Sequence, residues 1–421
     1  MSQTIESRPD QSAAFHQMLL RMAGRLPDEL IVEARRWLVE GEFAEISQAV
    51  VFAALAGRIA VTGAEATLLA DVLGAAGEDV EALADLERSD ADPQPVYGVA
   101  PVSPEVLAEH GPDVPYSIDL TVPYPGPGGP DGVDAAAVAA AASIAAGYPV
   151  RALWRFWRFP AGDTRWPPAR RVYLLQADDE ASLPGLAVRL QAALAAAGET
   201  HPQVEVFRDP DTLPAYQRTG LGFAALLWTA TPAVVPLVAR VFDTFEPDSG
   251  PGFEPTHPRL DEAERERVAG YLDAGVPLLI TPDLAPDVLD PERPEVVPAV
   301  VRTDGRWIWT DAVGYYLRGY GLAPDAGLLE AIRANDYLPP EVDAVAMHRA
   351  LSVLYATATG DPADGPTVAD PVDVPTAVGV AAGPTVADPD PAPTAVVVDN
   401  SGTRSAYVDR VGGGLPSARF D

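Results

Sequence analysis

RTDGRWIWTDAVGYYLRGYG, residues 302–321, holds the densest set of side chains able to bind a small molecule. Indole and phenol rings offer stacking surface, Asp311 a carboxylate for proton transfer, and Arg318 a guanidinium for an anion. Strand residues alternate faces, so Trp307 and Trp309 fall together and Ile308 opposes them. Thr310 or Asp311 can then cap a helix on which Tyr316 and Tyr320, four apart, share a side. Core packing is the first expectation, because aromatic rings supply the most burial per residue. The competing expectation is a pocket walled by Trp307, Trp309, Tyr315 and Tyr316, with Asp311 and Arg318 as its polar handles.

Acid–base chemistry has one further candidate. His257 lies near Glu254 and Asp261 in FDTFEPDSGPGFEPTHPRLDEAERE, and histidine changes charge close to neutrality. In the same stretch Asp243 and Glu254 are spaced like the ends of an EF-hand loop. Phe245 and Pro247 occupy its ligand positions and Asp248 replaces its glycine, so calcium binding of that type fails. His16, His110, His201, His257 and His348 show no paired metal-binding spacing, and G-x-S-x-G is absent. TGLGFAA presents Gly220, Gly222 and Ala225 in a dinucleotide-like pattern, but a strand-like LLWTAT follows it where a helix is required.

RALWRFWRFPAGDTRWPPARR, residues 151–171, interleaves six arginines with Trp154, Phe156, Trp157, Phe159 and Trp166. Cations beside stacking rings are a footprint of single-strand nucleic-acid binding. Trp154 and Phe156 share a strand face that points inward, however, and the net charge of −32 opposes approach to phosphate. A solvated hairpin is the expectation, followed by docking of an acidic partner or of the chain's own acidic tail. Nucleic acid ranks last.

Composition removes further chemistries. With no cysteine there is no disulfide, thiolate metal site or thiol nucleophile. With no lysine among 29 basic residues there is no Schiff base or Walker-A lysine. No cofactor is expected. MSQTIESRPDQSAAF lacks the apolar core of a secretion signal, and no run of about 20 apolar residues occurs, so a cytoplasmic, non-membrane protein is expected.

These groups must be positioned by an α+β framework. Residues 13–88 read as a small helical bundle: Ile31, Ala34 and Leu38 form a stripe, Gly41 is a stop, and Thr62 with Glu65 forms a capping box. Residues 89–133 read as an acidic Pro/Gly-rich linker holding at most one short ordered element. Residues 134–357 read as a larger α+β domain, with a strand–strand–helix–strand run predicting a sheet covered by helices on one face. Asp304-Gly305 predicts a hairpin between VVRT and RWIWT, and Pro298 predicts an edge strand.

Beyond residue 358 large apolar side chains nearly vanish, which predicts a tail disordered when alone. Nine-residue units start at Gly365, Val374, Gly383 and Ala392, each with Pro-Thr at its second and third places, covering 365–400. Polyproline II has three residues per turn, so the four Pro-Thr pairs would share one edge about 28 Å apart. Units one and three place Asp370 after Thr367 and Asp388 after Thr385, a T-V-A-D pattern that resembles ligands of forkhead-associated domains if the threonine is phosphorylated. The Arg-bearing end, GTRSAYVDRVGGGLPSARF, suits a docking peptide on a spacer.

Taken together, the sequence predicts a non-enzymatic cytoplasmic scaffold or adaptor that binds protein partners through its tail. The alternative is a small-molecule enzyme using the Trp307–Tyr316 region or His257. A third, weaker reading is single-strand binding through residues 151–171.

Overall fold

The structure, a computed structural model, describes residues 8–160, 168–246 and 250–359, with the side chains of residues 8, 9, 112 and 357–359 excepted. The Pro-Thr units with Thr367, Asp370, Thr385 and Asp388, and the Arg-bearing end, lie outside these residues.

The chain begins with four helices, α1 (Arg8–Met22), α2 (Asp28–Glu40), α3 (Phe43–Gly57) and α4 (Gly63–Ala76). On α2 the predicted stripe is the buried one, and Gly41 ends the helix at φ 80°, a left-handed turn that glycine adopts without strain. On α4 the Thr62 side chain accepts the Glu65 N–H while Glu65 accepts the Thr62 N–H, closing the capping box.

Next come β1 (Tyr97–Ala100), α5 (Pro104–His110), β2 (Ile118–Asp119), α6 (Gly132–Ala145), β3 (Val150–Pro160) and β4 (Arg170–Ala177). They are followed by α7 (Leu183–Ala196), β5 (Gln203–Phe207), α8 (Ala215–Gly222) and β6 (Ala225–Thr229). The sheet runs β2-β6-β3-β4-β5, and β1 pairs with the far end of β3. Its outer pairs, β2 with β6 and β4 with β5, are parallel, while the pairs around β3 are antiparallel.

Two expectations differ here. Helices cover both faces of this sheet rather than one: Leu153, Tyr173 and Val204 face α6 and α7, while Trp154, Phe156 and Leu174 face α8, Ala23 and Val345. Strands buried on both sides carry apolar residues continuously, which masks the alternation that would betray a second covered face. The stretch expected as linker, 89–133, supplies β1 and β2 and buries Val102, Val114 and Ile118. Strand propensity is poor in a Pro/Gly-rich segment, and tertiary pairing overrides it.

The remaining elements are β7 (Leu237–Val238), β8 (Thr244–Glu246), β9 (Gly250–Gly252), α9 (Glu262–Ala274), β10 (Val276–Leu279) and β11 (Leu284–Ala285). Then follow β12 (Val297–Pro298), β13 (Val301–Thr303), β14 (Trp307–Thr310), α10 (Asp311–Tyr320), α11 (Ala326–Ala334) and α12 (Ala344–Thr359). A second sheet has the order β10-β13-β14-β7. Pro298, lacking an N–H, sits in the two-stranded β11–β12 pair, and the chain re-enters pairing at Val301 in an internal strand. The fold class is therefore α+β, as its composition of helices and mixed sheets requires.

Helix α12 joins the two sheets. His348 donates from Nε2 to the carbonyl of Ile118 at 2.9 Å and Arg349 pairs with Asp119 at 3.1 Å, both on β2. Its other side packs Ala350 and Leu351 on Leu278, Val301 and Ile308 of the second sheet. Among the described residues no helix is long and apolar enough to cross a membrane.

Candidate functional site

The site region is built on the β13–β14 hairpin and the helix that follows it. Gly305 turns at φ 86°, and the Asp304 carboxylate accepts the N–H groups of Arg306 and Trp307 at 2.8 and 2.6 Å. Tyr271 on α9 donates to the other Asp304 oxygen at 2.6 Å, tying helix to turn. Trp307 and Trp309 then face α9, α10 and α11, and Ile308 faces α12. The second sheet thus has helices on both sides, so neither face of β14 is left for a ligand.

That placement divides the six candidate residues. Trp307, Trp309 and Tyr316 are core residues, with Trp309 only 1% exposed. They do not wall a pocket, because each ring is taken up by neighbouring helices or rings. Asp311, Tyr315 and Arg318 instead lie along the outer stripe of α10 and line an open cleft of about 600 Å³. Tyr320, Arg293 and Pro298 complete much of its wall, and Asp273 contributes a second carboxylate.

The polar groups of this cleft are largely engaged in holding the fold. Arg302 grips Asp311 with two bonds, Nε to Oδ1 at 2.6 Å and Nη2 to Oδ2 at 3.3 Å. Arg318 pairs with Asp273. Tyr315 and Tyr320 both donate to Oδ2 of the buried Asp287, the first at 2.8 Å, and Tyr316 accepts the Val288 N–H at 3.1 Å. Three tyrosines of α10 therefore clamp the loop between β11 and β12. Burial alone would raise the Asp287 carboxyl, but the bonds from Tyr320, the Leu289 N–H and Tyr315 outweigh it and hold it below its usual range. Reciprocally, the carboxylate pushes the Tyr320 phenol up to about 12.

His257 stands next to this cluster through Phe253, whose ring lies 5.2 Å from the imidazole and 4.9 Å from Tyr316. The two regions singled out separately in the sequence are thus one aromatic neighbourhood. The carboxylate facing His257 is Asp243, at 2.8 Å from Nδ1, and not Glu254 or Asp261. Asp261 caps α9 through the Glu264 N–H, and Glu254 is held by its own backbone N–H on Asp243. The other imidazole nitrogen, Nε2, meets the Ala323 carbonyl at 2.9 Å, so both ring nitrogens are occupied. Among the described residues no group of His, Asp or Glu side chains could hold a metal ion.

The arginine-rich stretch is not a solvated hairpin. Arg155 pairs with Asp134, Arg158 with Asp28, Arg171 with Asp131 at 2.8 Å, and Arg151 with Asp178. Arg155 and Arg158 are buried in doing so. Desolvating a guanidinium is tolerated only with a carboxylate against it, so Arg155, Arg158 and Arg171 are spent on acids of α2, α6 and the α6 cap, while Arg151 stays exposed beside Asp178 in the loop after β4. Arg165 and Trp166 lie outside the described residues. Gly220 and Gly222 fall at the C-terminal end of α8, where no helix N-terminus can cradle a phosphate. A Cβ on Gly220 would meet the Phe156 ring at 2.4 Å, which accounts for that glycine by packing.

Sequence reasoning missed Asp287, Asp273 and Arg293. Nothing local marks them, since each meets α10 only through the tertiary fold. Tyr320 was legible from its four-residue spacing to Tyr316. No protein-family model matches the chain, and no curated protein or solved structure matches it.

Proposed function

We propose that this protein is a non-enzymatic cytoplasmic adaptor, whose described residues, 89–133 included, form a body that presents the tail to protein partners. The observation that carries this reading is the engagement of His257 and Asp311, the two groups best suited to proton transfer. Each is held by two bonds to fold-determining partners, at Asp243 and Ala323 for one and at Arg302 for the other. A catalytic acid or base needs a direction free toward its substrate. The ion pairing of Arg155, Arg158 and Arg171 likewise argues against a phosphate-binding face.

Affinity capture on the full chain and on a chain lacking residues 358–421 tests the reading. Partners recovered by the first and lost by the second are expected, in the cytoplasmic fraction. Identical partner sets would defeat it. A second reading, a small-molecule site, is favoured by one observation, the cleft of about 600 Å³ beside Asp311, Tyr315 and Arg318. It predicts a ligand whose binding is lost in Tyr315→Ala while the tail deletion leaves it intact.

A further inference from the structure

We propose that the cleft on α10 is the intramolecular dock of the chain's own Pro-Thr units, residues 365–400. This inference shares with the adaptor reading the premise that the units are a recognition element, and adds a site for them on the body.

The cleft has the chemistry that an extended proline-rich strand requires. A polyproline II segment makes no internal hydrogen bonds, so its carbonyls need outside donors and its pyrrolidine rings need flat apolar surfaces. Tyr315 and Tyr320 supply fixed rings, because their hydroxyls are both anchored on Asp287. Pro298 and Gly319 also line the cleft. Arg293 and Arg318 supply donors, with side chains 49% and 46% exposed. The contact that Arg293 makes with Asp287 is long, 3.9 Å, and its guanidinium carbon lies 5.8 Å from the Tyr315 ring centre, so the cation borders the ring with about half its side chain exposed.

Reach, and the exposed Arg293 cation, select the occupant. From Arg349 to Arg404 the chain has no basic residue, so the units carry negative charge alone. In units one and three the acid follows threonine by three residues, so a polyproline conformation would put Thr367 with Asp370, and Thr385 with Asp388, on a single edge. That edge would face Arg293, since Arg318 is already paired with Asp273, while prolines face the phenol rings. Helix α12 covers one face of the second sheet and α10 the other. Two layer spacings of about 10 Å separate them. The units span about 110 Å when extended, at about 3.1 Å per residue, so the distance is readily covered.

The absence of cysteine gives a direct test in the full chain. Gly319→Cys is placed in the cleft and Gly379→Cys in the tail, leaving all four Pro-Thr pairs intact. A Cβ at Gly319 meets nothing within 4 Å, and the same holds for Gly74 on α4, which serves as the control position. Under mild oxidation the 319–379 disulfide should form about tenfold or more faster than the 74–379 disulfide, because docking raises effective concentration. Arg293→Glu, a change at an exposed side chain, should return the rate to the control level. Equal rates at the two positions would overturn the proposal. So would an enhancement that survives Arg293→Glu, or a disulfide that forms only between two molecules. Tail deletion in affinity capture reads the adaptor function separately, so the two ideas can fail independently.

Discussion

Nε2 of His16 lies 2.9 Å from the carbonyl oxygen of Val206, across the outer edge of β5. A carbonyl only accepts, so the imidazole donates and helix α1 closes an edge that would otherwise offer unpaired backbone groups. His348 does the same for Ile118 on β2, at the opposite edge of the sheet. Two of the five histidines thus act as edge caps, which explains why they sit buried, 190 and 230 residues from their partners.

His16 makes stability depend on pH. Burial, reinforced by the nearby Arg35 cation and only partly opposed by the Val206 bond, lowers its pKa from 6.5 to about 4. A depressed folded value means that the unfolded chain takes up the proton first. The contribution is therefore complete above 6.5 and is lost as pH falls toward 4. By pH 5 about 2 kcal/mol of it should be gone. Urea unfolding of the parent and of His16→Gln, compared at pH 7.5 and 5, measures this. Equal losses in both proteins would show that His16 is not the group responsible.

Arg35 and Glu205 form the pair that joins the helical N-terminus to the sheet. Nη2 of Arg35 lies 2.7 Å from Oε2 of Glu205, both side chains are 1% exposed, and Gln217 donates to the same oxygen at 3.0 Å. Removing one partner leaves a buried charge, so Arg35→Met should cost about 3–5 kcal/mol. Adding Glu205→Gln removes the orphaned carboxylate and should restore most of that loss. A double-mutant cycle by urea unfolding checks it; additive effects would mean that the two side chains do not couple.

How far the sequence reveals this molecule follows the range of the forces involved. Local signals were readable: the Thr62–Glu65 box, the Gly41 stop, the Asp304-Gly305 turn and the face shared by Trp307 and Trp309. Each rests on backbone geometry within a few residues. What could not be read depends on distant partners. Arg158 looks like a surface cation until Asp28, 130 positions earlier, is placed against it. Tyr316 looks like a pocket wall until Phe242 and Phe253 pack against its ring. The β1 and β2 segments look like linker because their pairing partners, β3 and β6, lie far along the chain.

The same distinction predicts how the two ring types of the candidate site respond to mutation. Trp309 packs against Tyr271, with centroids 6.2 Å apart, and closes over Gly275, where a Cβ would meet its ring at 2.3 Å. Trp309→Ala leaves a cavity that this tight surround cannot refill, and should cost about 3–5 kcal/mol. Tyr315→Phe removes one of several bonds to Asp287 from a partly buried ring, and the bonds that remain from Tyr320 and the Leu289 N–H limit its cost to about 1 kcal/mol or less. Thermal unfolding of the two variants gives the contrast directly. A small loss for Trp309→Ala would mean that the indole faces open space, and the division of the site into a packed inner face and a cleft-lining outer stripe would be wrong.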